Sequence, residues 1–192
     1  MSFLILICVL CYVGFVLFLI SGLFKHTKLD VKSYDTLPKV SVVIAARNEE
    51  GHISNLINDL VVQEYPLDKL EVIIVNDRST DKTLDILNEA SDNYAFIKII
   101  SIDESSKEMA PKKNALTKGI ESAIGEIIVL TDADCRVGKL WVSSMTYSVM
   151  NQNSITIGFS EVSTEDGSLF DRYQRIDFLS IIIANAGFSG WG

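Results

Sequence analysis

Carboxylates carry most of the chemistry this sequence can offer. Asp132-Ala133-Asp134 follows the apolar run 126–131 (EIIVLT). In an extended stretch residues i and i+2 point the same way, so the two carboxylates share a side. Two hard oxygen donors with open positions suit Mg²⁺ or Mn²⁺, which complete their shells with phosphate oxygens and water. A metal held there would bridge the protein to a diphosphate; the competing reading is a solvated acidic turn. Asp77, in Asn76-Asp77-Arg78-Ser79-Thr80, either caps the helix that follows or accepts hydrogen bonds from a base or ribose. Arg47, in Arg47-Asn48-Glu49-Glu50, reads by itself as a surface ion pair with one of the glutamates. Lys112 and Lys113 stand at a helix start after Pro111, where cations oppose the helix dipole, and this favours an anionic contact for at least one of them. Histidine and cysteine chemistry is nearly excluded. The histidines are His26 and His52, and Cys8, Cys11 and Cys135 have neither zinc-ligand spacing nor a disulfide framework.

These residues need a scaffold, and the hydrophobic pattern supplies one. Val40 to Ala46 (VSVVIAA) is too continuously apolar for a half-exposed strand and too short for a helix, so it reads as a buried parallel strand. Similar runs occur at 70–75, 96–102 and 126–131. Stretches of helical period separate them, at about 49–64, 81–92 and 111–123. Ser79 or Thr80 is expected to cap the second of these helices, Pro111 to open the third and Gly125 to end it. A further helix is expected over 139–150, a strand over 154–162 and an amphipathic helix from Ser168 to about Ala186. The β-α-β-α-β-α-β alternation predicts an α/β domain with an open, mostly parallel sheet, and ligands collect where strand carboxyl ends meet helix starts. Arg47 and Glu49, Asp77, and the Asp132/Asp134 pair all follow strands and should share one rim of that sheet.

The charge distribution divides the chain. Its 192 residues carry a net charge of -8, and no charged side chain occurs among the first 24. Phe3 to Phe24 is long enough to cross a bilayer as one helix and lacks the basic start and small-residue cleavage site of a signal peptide. Lys25, Lys28 and Lys32 follow it, which places the rest on the cytoplasmic side of the cell membrane, behind a single-pass anchor. The expected organisation is therefore a transmembrane helix over 3–24, a linker over 25–37 and a soluble portion over 38–192. The acidic balance argues against nucleic acid as a partner.

Taken together, three segments resemble the family 2 glycosyltransferases, inverting enzymes of the GT-A fold that include cellulose, chitin and hyaluronan synthases. They are PKVSVVIAARNEE, VIIVNDRSTDKT and PKKNALTKGIESAIGEIIVLTDADC. The resemblance implies a Rossmann-like GT-A sheet and transfer of a sugar from a nucleotide-diphosphate donor to a glycan or lipid acceptor. It implies nucleotide contacts for Ala45, Arg47 and Glu49, a base contact for Asp77, and a place near the donor for Lys112 or Lys113. It further implies a ribose or sugar contact for Asp132 and, for Asp134, the Mg²⁺ or Mn²⁺ contact. The family's acceptor loop, general-base Glu-Asp pair and Gln-x-x-Arg-Trp element would lie beyond Gly192, so the chain reads as a donor-binding half, and no catalytic base is assigned. Two other readings compete: a membrane-anchored nucleotide-sugar-binding protein without turnover, and a haloacid-dehalogenase-type phosphatase. The second fits poorly, since its Asp-x-Asp follows the first core strand and here three strands come before.

Overall fold

The computed structural model describes residues 2–25, 37–152, 155–161 and 168–191. These form two compact bodies, one built from the described residues between 37 and 156, the other pairing the first helix with the described residues from 157 onward.

The larger body is a four-stranded, all-parallel sheet in the order β3-β2-β1-β4. Its strands are β1 (Val40–Ala46), β2 (Leu70–Asp77), β3 (Ile97–Ile102) and β4 (Ile127–Asp132). The central pair β1 and β2 is buried almost throughout, which is why both read as mainly apolar runs. Helices α2 (Ile53–Val61), α3 (Thr83–Asn93) and α5 (Trp141–Gln152) flank the sheet, together with α4 (Pro111–Glu121). Alternate strand residues face opposite sides. Val42, Ile44, Val72 and Ile74 pack in one cluster with Ile53, Leu56 and Leu60 of α2, Leu87 of α3 and Val142 of α5. Val43, Ile73 and Val75 pack on Ala115 of α4. The buried positions of α2, Ile53, Leu56, Ile57 and Leu60, follow the i, i+3, i+4, i+7 spacing of an amphipathic helix.

The chain runs from β1 outward to β2 and β3, then returns to place β4 on the other side of β1. The strand order therefore reverses between β1 and β4, and the carboxyl ends of those strands border the crevice in which sheets of this kind bind ligands. Ala45 of β1 and Asp132 of β4 are register partners at that edge.

Several boundaries differ from expectation, each for a local reason. α2 starts at Ile53 rather than near Glu49 because residues 48–50 are engaged by the β2–α3 loop. Ser79 and Thr80 do not cap α3. Ser79 Oγ accepts from the Asn48 amide at 3.1 Å, Thr80 donates its amide to Asn48 Oδ1 at 2.8 Å, and Asp81 Oδ1 receives the Thr83 amide at 3.0 Å. Pro111 does open α4, but that helix closes on Ser122. Gly125 serves a different purpose, since a Cβ there would lie 2.5 Å from Ser41 N and 2.8 Å from Val40 C, so only glycine permits the chain to enter β4 beside β1. The expected strand over 154–162 is absent across 155–161, the described part of it. Ile155, Ile157 and Phe159 alternate as a strand would, yet they are largely exposed, and among the described residues no strand pairs with the outer edge of β4.

The smaller body contains α1 (Ser2–Leu23) and α6 (Leu169–Ser189). α1 is apolar all round and exposed along most of its length, with a mean hydropathy of 3.2 over Phe3–Leu23. α6 starts with a capping box between Ser168 and Asp171, as the sequence suggested for a helix from Ser168. The two helices touch through Gly22, Gly187 and Gly190, where any Cβ would collide with the facing backbone. Phe18 stacks on Trp191 at 5.0 Å between ring centroids, and Lys25 Nζ lies 3.1 Å from the same indole. Phe170, Tyr173, Ile176, Leu179 and Ile183 of α6 remain exposed.

Candidate functional site

A cavity of about 240 Å³ opens at the carboxyl ends of β1, β2 and β4. Ala45, Ala46, Arg47, Glu49, Asp77, Lys112, Asp132 and Asp134 line it, with Pro111, Ala115 and Ala133 completing the wall. The sequence-predicted residues thus converge, with one exception. Lys113, beside Lys112 on α4, is exposed and does not line the cavity. Small side chains at Ala45, Ala46, Ala115 and Ala133 leave the room; among these only Ala45 was anticipated.

The wall carries charges of both signs. Lys112 Nζ pairs with Asp132 Oδ1 at 2.7 Å, which brings a cation from the start of α4 to the end of β4. Arg47 also faces the cavity, and the alternative reading, an ion pair with Glu49 or Glu50, does not occur among the described residues. Burial raises the Glu49 carboxyl above its ordinary value. The neighbouring Asp134 adds to this, as do Asp81 and Asp132, while His52 opposes it. Burial is the larger cause, and the repulsion from the neighbouring carboxylates is the part that a bound cation would relieve.

Asp77 is almost fully buried, and its carboxylate takes two hydrogen bonds from the Arg78 guanidinium, from Nε at 2.8 Å and Nη2 at 3.2 Å. It caps no helix. Arg78 has φ 55°, and Asn48 in the adjacent loop has φ 54°, so both loops turn through the left-handed region. The loops are clasped together. Besides the Asn48 bonds, Glu49 N donates to Thr83 Oγ1 at 2.7 Å, Glu50 N to Asp81 Oδ2 at 3.2 Å, and Lys82 N to Glu50 Oε2 at 3.0 Å. This clasp sets Arg47, Glu49 and Asp77 side by side, although some thirty residues separate the loops. Capping signals in Ser79 and Thr80 concealed it, since the same side chains suit both roles.

The loop after β4 is held from α2. Asp59 accepts from Arg136 Nε at 2.6 Å and Nη2 at 2.8 Å, and from the Val137 amide at 3.1 Å. The hydrogen bond from Arg136 draws the Asp59 carboxyl below its ordinary range despite partial burial, with Val137 reinforcing it. The sequence alone did not single out Asp59; it lies in the last turn of α2, and Gln63 just beyond that helix also turns inward.

The residues fit a hard divalent cation. Asp132 and Asp134 supply two carboxylates at one wall, and Glu49 adds negative potential. Among the described residues no three metal-ligating side chains converge. A cation here would need ligand oxygens to complete its shell, as Mg²⁺ and Mn²⁺ ordinarily do.

A parallel sheet with a mixed-charge cavity at its strand-order reversal defines an open α/β domain of the class that binds ligands at the carboxyl ends of its strands. The family can be stated more closely. The Glycosyl transferase family 2 model matches residues 41–188, and the chain belongs to that family. It is 34% identical to the probable glycosyltransferase YdaM of Bacillus subtilis (strain 168) over 170 residues, covering 84% of this chain and 40% of YdaM. It is 40% identical to the beta-monoglucosyldiacylglycerol synthase of Nostoc sp. over 115 residues, which cover 60% of this chain and 24% of that protein. The fold is that of the GT-A mannosyltransferase PcManGT from Pyrobaculum calidifontis, solved in complex with GDP-Man and Mn²⁺ (TM-score 0.61, 24% identity, 72% of this chain and 40% of that one). TarS 1-349 of S. aureus, solved in complex with UDP-GlcNAc, aligns with a TM-score of 0.56 at 25% identity over 68% of this chain and 37% of that one. The chain thus spans less than half the length of these relatives.

Proposed function

We propose that this chain binds a nucleotide-diphosphate sugar in the cavity at the β1, β2 and β4 ends, as the donor-binding part of a membrane-anchored, metal-dependent, inverting glycosyltransferase that glycosylates a glycan or lipid acceptor. The observation that carries the reading is the convergence of Asp77, Arg47, Lys112, Asp132 and Asp134 on one cavity at the reversal of strand order. Asp77, rigid beneath the clasp, accepts a base N–H. Ala45 and Glu49 form the nucleotide wall. Arg47 and Lys112 offer cations to the diphosphate, and Lys113 adds positive potential at the mouth. Asp132 contacts ribose or sugar and shares with Asp134 the holding of Mg²⁺ or Mn²⁺. When bound, that ion neutralises charge on the departing diphosphate. Lys112 is already drawn to this wall by Asp132, so its ammonium needs little reorganisation to reach a phosphate oxygen. α1 anchors the chain with the sheet on the cytoplasmic side, where Lys25 follows the apolar segment.

Calorimetric titration of UDP and GDP with and without Mn²⁺ tests the reading. Mn²⁺ should tighten nucleotide binding, and Asp134→Ala should remove that gain. Affinity that is independent of metal and survives Asp134→Ala would exclude the metal role.

A further inference from the structure

We propose that Asp59 and Arg136 form a clamp that positions the Asp132/Asp134 pair for its cation, with α2 as the strut that bears it. The proposal rests on the reading that this pair holds a metal, and extends it to residues remote from the cavity wall.

Three carboxylates, Glu49, Asp132 and Asp134, line that cavity without closing on one point, and they repel one another. Lys112 neutralises Asp132, whereas no ion pair engages Asp134 among the described residues. A short loop bearing Asp134 would relieve the repulsion by swinging toward solvent unless something fixed it. Arg136, two residues on, is fixed. Its guanidinium forks onto both oxygens of Asp59, and the Val137 amide donates to the same carboxylate. Two parallel bonds to a planar group set orientation as well as distance. The carboxylate side of the pair is 14% exposed, so the anchor is the better shielded partner.

The following residues are tied to the same helix end. Gln63, itself buried, donates to Gly138 O at 2.9 Å and accepts from the Val142 amide at 3.0 Å. Glu64 donates its amide to Lys139 O at 2.8 Å, and its carboxylate pairs with Lys139 Nζ at 2.7 Å. At its other end α2 emerges from the loop clasped to residues 79–83. One nine-residue helix therefore joins the loop beside Asp77 to the loop carrying the metal pair. The Asp59/Arg136 contact is the point on it nearest in sequence to Asp134. Arg136 and Asp59 are positioning residues and touch no ligand.

Mn²⁺ binding to the full chain in detergent, followed by electron paramagnetic resonance with UDP and in parallel with GDP, tests this. Asp59→Asn and Arg136→Lys each break the fork, Arg136→Lys while keeping the charge. Each should weaken Mn²⁺ by about tenfold or more, as loss of an outer partner of a ligand loop does. Nucleotide affinity without metal should hold, and hydrogen exchange at the Val137 amide should quicken in Asp59→Asn. Glu71→Gln, a destabilising change at the far end of the sheet, is the control and should leave Mn²⁺ affinity unaltered. If Asp59→Asn does not fold, Arg136→Lys decides, because its side chain is largely exposed. Mn²⁺ affinity within about twofold of wild type in the fork variants, or an equal loss in Glu71→Gln, would overturn the clamp. If Asp134→Ala still abolishes Mn²⁺ binding in that case, the metal reading stands. Absence of Mn²⁺ binding in wild type, or no effect of Asp134→Ala, would overturn the metal reading and the clamp with it.

Discussion

Asp77 shows how one side chain can satisfy several sequence-level roles and only one structural role. Its position before a helix suited capping, yet Asp81 receives the Thr83 amide and Asp77 is buried at the cavity with Arg78 on its two oxygens. Arg78 keeps the carboxylate oriented while leaving lone pairs for a base N–H. Losing a hydrogen bond to a charged acceptor costs about 1.5–3 kcal/mol, so Asp77→Asn should weaken nucleotide binding by roughly 10- to 150-fold. Calorimetry alongside thermal unfolding checks this. A fall in Tm with unaltered nucleotide affinity would make Asp77 a structural residue.

At the scale of elements, the end of the sheet opposite the cavity is pinned by a buried carboxylate. Glu71, at the start of β2, takes hydrogen bonds from Ser41 Oγ, from Lys98 Nζ at 2.9 Å and from the Ile124 amide at 2.7 Å, while the Gly125 amide donates to Ser41 Oγ at 2.8 Å. Three strands and the α4–β4 turn are joined in this way. Burial alone would raise the Glu71 carboxyl, but the bonds from Ser41, Lys98 and Ile124 outweigh it and hold the pKa below the ordinary 4.5. A group depressed in the folded state stabilises fully above its unfolded value and loses that contribution as pH falls through the lower folded value. Glu71→Gln should cost about 1.5–3 kcal/mol at neutral pH, and should flatten the fall in stability below the ordinary value. Urea unfolding at neutral and acid pH measures both. Equal losses at the two pH values would show that the charge is not what matters.

At the scale of the whole chain, α1 and the sheet ask for different solvents. α1 exposes Phe3, Leu4, Leu10, Tyr12 and Leu17, among others, with no charged residue along its length. A helix apolar all round, and left largely uncovered by protein, is suited to lipid. The chain should therefore sediment with membranes and resist alkaline carbonate, and a chain lacking residues 2–24 should become extractable while still binding nucleotide. Release of the full chain by carbonate would show that α1 does not span the bilayer. Phe170, Tyr173, Ile176, Leu179 and Ile183 of α6 are exposed as well.

Much of the fold was legible because its signals are local. The strand cores at 40–46, 70–75, 97–102 and 127–131 lie in short, mainly apolar runs suited to a largely buried sheet, and the apolar period of α2 and the lack of charge in α1 are likewise readable within a short window. Arg47, Glu49, Asp77, Asp132 and Asp134 follow from the same pattern, because each stands at or just after the end of a parallel strand, whereas Lys112 reaches the cavity from the start of α4. Other features depended on contacts between distant segments. The pairing of Asn48 with Ser79 and Thr80, the fork of Arg136 on Asp59, and the close approach that requires Gly125 each join residues about 30 to 85 positions apart. The absence of a strand across 155–161 has the same origin, since alternation supplies a strand's pattern but only a neighbouring edge supplies its hydrogen bonds. Apolar periodicity and chain order determined which elements form and which ends carry the chemistry. Tertiary packing decided which polar side chains meet, because a hydrogen bond depends on separation in space and leaves no periodic trace along the chain.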